Sequence, residues 1–488
     1  MTPLRLLRDL AGASLDAIGA ALAEVPGVLS LNHDSHRIAV TGLQRSGKTV
    51  FLTSFVHALL HAADAPVADF PFFPWRGQVR EVTVMDVPGL PPFPYRARLE
   101  ELLADPPAWP ARTTGLTAVR VRIRYTPTGG LARSLFQTAT VDLDLIDYPG
   151  EWLLDLPMLT QSYEEWSARM EELANAASRA DLAQAWREAA RTLDPAAPED
   201  PAALQRVGEL YLDYIRRCQS ERQLHFVQPG RFLSDGPGAD PERGPVFFPL
   251  PPPTTAQGAA KAARGGSNGA ALAARYRNYQ GLVRRFYGQV FGRLRRQVVL
   301  VDLLSALQNG HDSFADLALA TRSLTDAFEE LRNPILRALS LGGVDRLALV
   351  ATKADHVTAD QMNNMVGLLR DMIGEPFVQA NARQSGLFAA ASVRATTQLL
   401  RKYRGEALPF LLGVPEGRNA GGGAGRAERG AEAVEVRPGV IPGAIPVAAD
   451  WPALEFNIRR FAPPRLGTPY ERPLPHINLD KILQFLIA

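Results

Sequence analysis

The sequence predicts an α/β fold built on a mostly parallel sheet, with a helical insertion and a C-terminal extension. Three observations carry this. The apolar strand that opens "RIAVTGLQRSGKTVFLTSFVHALLHA" turns through glycines and continues with the apolar period of a helix. Residues 119–125 ("VRVRIRY") and 138–146 alternate strictly on either side of the turn residues "TPTGG", the mark of a hairpin. Further on, "RQVVLVDLL", a helix-period stretch at 312–339 and "VDRLALVATKAD" read as strand, helix, strand, which makes parallel neighbours with their loops at the carboxyl edge.

Composition sets the background. A chain of 488 residues with 46 % hydrophobic content can bury more than one core. Its formal charge of +2 lacks the basic excess of a polyanion-binding surface, so no nucleic acid is expected as a partner. The single Cys218 has no intrachain disulfide partner, which points to a reducing cytoplasm. No run of 18 apolar residues occurs, and "LRDLAGASLDAIGAALAEV" reads as an amphipathic helix that packs on the protein itself. Of 53 basic residues only Lys48, Lys261, Lys353, Lys402 and Lys481 are lysine. In an arginine-rich chain the surviving lysines mark places where a compact ammonium is needed.

One of them lies in a phosphate loop. Gly42, Gly47, Lys48 and Thr49 match GxxxxGK[ST] without a gap. Glycines let such a loop curl so that backbone N–H groups of residues such as Arg45, Ser46, Gly47 and Val50 point at phosphate oxygens, and the helix N-terminus adds its dipole. Lys48 is expected to reach the β and γ phosphates and Thr49 to coordinate Mg²⁺. The metal-side acid has two candidates, because "VTVMDVPGL" with Asp86 and "TVDLDLIDYPGE" with Asp147 are both strands that end in DxPG.

A second lysine lies in "TKAD", Thr352 to Asp355, which fits the guanine-reading motif [NT]KxD. The Asp355 carboxylate can accept hydrogen bonds from guanine N1–H and the 2-amino group, which adenine does not offer. The stem of Lys353 would lie along the base, with its ammonium tying this loop to the phosphate loop. A weaker signal ends the strand "SGLFAAASVRAT", where Ala391, Ser392 and Val393 are placed to offer backbone N–H groups to the base.

Taken together, "VTGLQRSGKT", "PPAWPARTT", "LIDYPGEWLLDLPML", "VQPGRFL", "VFFPLP", "ATKADHVT" and "LPHINLDKILQFL" resemble the YcjX-like family of bacterial P-loop stress proteins, which are Ras-like GTP-binding proteins. The resemblance covers nearly the whole chain. It implies a Ras-like P-loop NTPase domain, in which a hairpin leads straight into the metal-side DxxG and a switch threonine precedes its first strand. That selects Asp147 over Asp86, although loop spacing alone favours Asp86, and it makes Thr113 (beside Thr114) the threonine. Gly150 then belongs to the γ-phosphate turn, and Glu151 stands where a water-orienting glutamine is common. Arg45 and Arg112 are candidates for an arginine supplied in cis. The glycine-rich "EGRNAGGGAGRAERGAEAVEVRPG" and 276–292 depart from the family.

The organisation expected is an N-terminal helix (1–35), the first part of the GTPase domain (36–150), a helical insertion (151–292), the second part (293–413), a Gly-rich linker (414–450) and a C-terminal segment (451–488) packed on the globule. The functional expectation is a GTP/GDP- and Mg²⁺-binding switch with slow hydrolysis. It would be cytoplasmic or peripheral at the inner membrane, with a protein effector in envelope stress. A P-loop ATPase and a nucleotide-stabilised scaffold are the alternatives.

Overall fold

The computed structural model describes residues 33–487, apart from 112, 114, 128–136, 234–245, 252–255, 292–293, 332–343, 382–383, 404 and 418–431. The amphipathic stretch through residue 32, Arg112, Thr114 and the glycine run at 418–431 therefore lie outside the described residues.

Seven strands form one sheet. They are β1 (His33–Gly42), β2 (Val79–Met85), β3 (Thr117–Tyr125), β4 (Ala139–Asp147), β5 (Arg296–Val301), β6 (Arg346–Ala351) and β7 (Ser385–Ala389), in the spatial order β2-β3-β4-β1-β5-β6-β7. β1 is flanked by β4 and β5, both parallel to it, and β6 and β7 continue the parallel run. β3 is antiparallel to β4, and β2 adds an antiparallel outer edge. Residues 33–35, expected in the N-terminal helix, begin β1 instead. Pairing with β4 extends back to His33 opposite Thr140, so the backbone groups there belong to the ladder.

Alternation along the strands creates two cores. Ile38, Val40, Val298, Leu300, Ala348 and Val350 face the helix Lys48–His61 and the C-terminal helix Leu479–Ile487, meeting Phe51, Phe55, Leu59, Ile482 and Leu486. Ala39, Ile146, Val299 and Leu349 face the other way, towards Leu317, Leu324, Met365 and Leu369 of the helices His311–Leu331 and Met362–Ile373. On that same side Arg120 and Arg122 of β3 each hold a carboxylate of β4 with two hydrogen bonds, Arg120 to Asp144 at 2.6 and 2.9 Å and Arg122 to Asp142 at 2.8 and 2.8 Å. The alternation of "VRVRIRY" is thus an apolar face against a cross-strand ionic ladder, which pins the register of the hairpin.

Between β4 and β5 the chain forms helices Tyr163–Leu173, Ala180–Arg191, Pro201–Ser220 and Asn268–Phe291. Their starts are written locally: Ser162 and Glu165 form a capping box, and Asp200 caps Ala203 N–H with Pro201 in the first turn. This segment does not keep a core of its own. Trp166, Trp186, Tyr211 and Phe247, all fully buried, belong to one continuous cluster with Ala39, Ile146 and Val299 of the sheet. A buried pair ties it in further: Asp316 accepts from Arg179 Nη2 and from the backbone N–H groups of His225 and Phe226.

Beyond β7, strands β8 (Thr397–Tyr403), β9 (Glu406–Gly413) and β10 (Val434–Val436) form a small antiparallel sheet. This corrects the expected linker at its far end. Ile441 is fully buried, donates its N–H to Gln361 at 2.6 Å and accepts from Asn364 at 2.8 Å, so side-chain partners capture backbone that composition assigns to a loop. Among the described residues no helix is long and apolar enough to cross a membrane.

Replacing Asp316 with Ala leaves Arg179 buried without its counter-charge and frees two backbone donors. The expected loss is about 3–5 kcal/mol of stability, read as a lower urea midpoint, and a loss under 1 kcal/mol would show that the pair does not tie the helices to the core.

Candidate nucleotide-binding site

The phosphate loop leaves the end of β1 at the centre of the sheet. A Cβ on Gly42 would stand 2.4 Å from Ser46 Oγ and 2.6 Å from Leu300 O, so only glycine fits there. Arg45 and Gly47 take left-handed backbone, φ 62° and 87°, and this curls the loop before the 14-residue helix. Lys48 Nζ donates to Gly42 O at 2.9 Å, across the loop's mouth, and Ser46 Oγ is buried without a partner. Ser46 N–H, expected to face phosphate, is spent on Leu43 O at 3.2 Å within the loop. A left-handed glycine at a helix N-terminus and an ammonium beside it still make an anion seat.

The oxygen side of the site converges from three segments. Thr49 Oγ1 and Thr113 Oγ1 are 3.1 Å apart, although 64 residues separate them in sequence. Asp147 ends β4 opposite Val40, and its Oδ1 is buried with no hydrogen-bond partner. Burial pushes the Asp147 pKa up to about 6, with Lys48 pulling it down and Glu151 adding to the rise. Two hydroxyls and an acceptor-only carboxylate starved of donors are the oxygen set that suits a hard divalent cation sharing its sphere with phosphate, and these residues fit Mg²⁺. Asp86 is elsewhere. It is exposed after the edge strand β2, two strand spacings or about 10 Å out from β4.

Gly150 closes the gap between the two turns. A Cβ there would be 2.4 Å from Gly42 O and 2.5 Å from Gly42 C, so the Asp147 turn rests directly on the phosphate-loop backbone. Gly150–Leu159 continues as a 3₁₀ helix buried under the inserted helices. Gly230 lies against Glu151 with no room for a side chain, and Asp155 accepts from Gly230 N–H at 2.7 Å and from the Tyr279 hydroxyl. The Arg231 guanidinium packs against the edge-to-face rings of Trp152 and Phe286, 4.2 and 4.3 Å from their centres.

The base side departs from expectation in two places. Lys353, in left-handed backbone at φ 62°, sends its ammonium to Asp302 Oδ2 at 2.5 Å and to Ser305 Oγ at 3.4 Å, not to the phosphate loop. Asp302 caps the helix Leu303–Gln308 and offers a full charge nearby; its own pKa stays low despite burial because of Lys353 and Ser305. Ala391 N–H is spent on Ile477 O at 3.1 Å, so it does not face a base. Among the described residues the amides of Ser392 and Val393 make no hydrogen bond, while Thr352 N–H is held by Val301 O at 3.0 Å. Asp355 is buried, with Oδ2 receiving Ala395 N–H at 2.9 Å.

Several residues at this edge carry no motif. Gln219 accepts from Gln44 Nε2, and Gln223 accepts from Arg45 at 3.2 Å and Asn309 at 2.7 Å, so the end of the inserted helix Pro201–Ser220 lies along the phosphate loop. Arg45 is exposed and turned to this contact. The acid that closes "VVLVD" at the carboxyl edge is the signal by which Asp302 was readable. Nothing local marks Gln219 or Gln223.

A phosphate loop on the central parallel strand, flanked by an aspartate turn on one side and a Lys–Asp loop two strands away on the other, is the Ras-like arrangement of P-loop proteins. That is the class this fold and site define. The chain belongs to the YcjX-like family, DUF463, whose model matches residues 36–488. It is 38 % identical over 481 residues to the Ras-like GTPase YcjX of Escherichia coli K12, covering 95 % of this chain and 98 % of that protein. It is 32 % identical over 475 residues to the Ras-like GTPase YcjX of Shewanella oneidensis, covering 93 % and 94 % respectively.

The folded pKa of Asp147, about 6, stands above the ordinary aspartate value of 3.8. The folded chain therefore holds a proton that the unfolded chain gives up. The resulting stabilisation is complete below about pH 4, declines as pH rises and is gone above about pH 6. Asp147→Asn removes a buried charge at pH 7.5, so the nucleotide-free variant should melt at or above the parent, by up to about 3 kcal/mol. Thermal scans at pH 4.5 and 7.5 check this, and a variant less stable than the parent at pH 7.5 would contradict it.

Proposed function

We propose that this protein binds GTP and GDP with Mg²⁺, hydrolyses GTP slowly and acts as a nucleotide-controlled switch. The observation that carries the reading is the meeting of the Thr49 and Thr113 hydroxyls at 3.1 Å, with Asp147 ending the neighbouring strand at the same sheet edge and its Oδ1 unpartnered, since nothing in the packing of a plain glycine turn calls for either. The names of the two relatives, both Ras-like GTPases, agree with it.

In this reading the loop amides and Lys48 hold the phosphates, and Thr49, Thr113 and Asp147 hold Mg²⁺, which supplies neutralisation of the charge that develops between the β and γ phosphates. Gly150 and Thr113 bring main chain to the terminal phosphate, so loss of that phosphate loosens both. Glu151 orients water poorly, because its charge opposes that of the γ-phosphate, and this makes hydrolysis slow without a partner. Asp355 reads guanine, with Lys353 fixed along the base by its bond to Asp302. The buried 3₁₀ segment 150–159 passes the nucleotide state to the inserted helices, where a protein effector would read it. Envelope stress is the setting that the resemblance to bacterial stress proteins implies.

Lys48→Ala should abolish GTP binding in a titration with a fluorescent analogue while leaving the melting temperature of the nucleotide-free chain within a few degrees. Retained affinity would make the loop structural.

Asp355→Asn should weaken GTP roughly ten- to a hundredfold, or about 1.5–3 kcal/mol, and improve xanthosine triphosphate, because the amide donates to the 2-oxo group. An unchanged ratio in a competition titration would remove the guanine assignment.

A further inference from the structure

A stretch of the inserted segment, which the P-loop core does not supply, runs from the phosphate loop to the Asp147 turn. Gln219 is bonded to Gln44, and Gln223 to Arg45 at 3.2 Å and Asn309 at 2.7 Å, which fixes one end of the stretch against the phosphate loop. Gly230 abuts the backbone of Glu151, which fixes the other end against the Asp147 turn. His225 lies between these two anchors. Its main chain is held, N–H on Asp316 Oδ2 with Phe226 N–H on the same oxygen at 2.8 Å, and Leu224 N–H on Cys218 O at 2.9 Å. Its imidazole is half-buried and makes no hydrogen bond among the described residues. Charged groups that act on it include Asp316, Asp302, Glu151 and Arg45, and the last three belong to the nucleotide site. A positioned backbone carrying an uncommitted ring at a half-open place is what a residue awaiting substrate looks like.

We propose that His225 is a catalytic residue of GTP hydrolysis, contributed by the inserted segment, whose ring nitrogen accepts a hydrogen bond from the attacking water beside Glu151. This rests on the GTP reading above. The water oxygen bonds to the γ phosphorus as the bond from phosphorus to the β–γ bridging oxygen breaks. The electron pair leaves on GDP, and the water proton ends on inorganic phosphate. A neutral imidazole fits the task better than Glu151 alone, because it orients water without bringing negative charge to the phosphate. Burial lowers the His225 pKa, which keeps the ring neutral at physiological pH.

The test uses the full chain with Mg²⁺, comparing the parent with His225→Ala and His225→Gln. It follows single-turnover phosphate release, and affinity for GDP with and without aluminium fluoride. His225→Ala is expected to hold GDP within about twofold of the parent, slow hydrolysis roughly a hundredfold, and lose the gain in affinity that aluminium fluoride brings; Gln, which keeps a hydrogen-bonding group, should recover part of the rate. Hydrolysis at the parental rate in His225→Ala overturns the proposal and leaves the GTP reading intact. Equal losses of GDP affinity and rate in both variants overturn it in favour of a structural histidine. A parent chain that binds no GTP would sink the GTP reading itself. If the Ala variant fails to fold, the Gln variant decides: a parental rate with the full aluminium fluoride gain overturns the proposal, and a reduced rate at unchanged GDP affinity supports it.

Discussion

Backbone meets backbone where Gly150 rests on Gly42 and Leu43, with no room for even one methyl group. This contact exists because β1 and β4 are parallel neighbours, Val40 opposite Asp147, and β1 runs on to Gly42 beside the turn that follows β4. From it follows most of the site. The turn that supplies Asp147 rests on the loop that supplies Lys48, and the Lys48 charge acts on Asp147. Glu151 is carried to the same edge and is held there from behind by Gly230. The inserted helices therefore do not sit at a distance from this edge; they form the wall against which the Asp147 turn is packed.

The readable parts of this protein are those whose physics is local. A phosphate loop must be glycine at fixed offsets because the chain has to curl within eight residues, and the hairpin shows its two faces in the strict alternation of "VRVRIRY". Thr113 was named only through the family resemblance, and the structure sets its hydroxyl 3.1 Å from that of Thr49. What escaped reading was long-range. Lys353 was expected at the phosphate loop, and no pattern in "TKAD" says that Asp302 competes for it. Ala391 looked available until Ile477, 86 residues later, took its amide. Ile441 sits in a stretch rich in glycine and proline, and only Gln361 and Asn364 make it part of the core. Gln219 ends an ordinary amphipathic helix and Gln223 follows it, so only their position in the fold, against Gln44 and Arg45, sets them apart.

Buried acids divide into two kinds here. Asp142, Asp144, Asp302 and Asp316 have strong donors around them, arginine, lysine or backbone N–H, and serve as ties. Asp147 lacks such donors, and its neighbour Glu151 works against it. A fold selected for stability alone would remove that carboxylate. Keeping it is understandable where a cation and phosphate arrive to complete the shell.

The insertion between β4 and β5 also sets an order of events. β1 needs both neighbours, yet β5 begins at Arg296, after every inserted helix has been made. Pairing β1 with β5 closes a very long loop, and such closures come late because chain entropy must be overcome before contacts reward it. As the chain leaves the ribosome, β1 and its glycine loop must wait half-paired, one edge open to wrong strands, until the inserted helices are complete. A long insertion placed there makes the protein slow to seal, and its earliest strand is the part most in need of shelter while it does so.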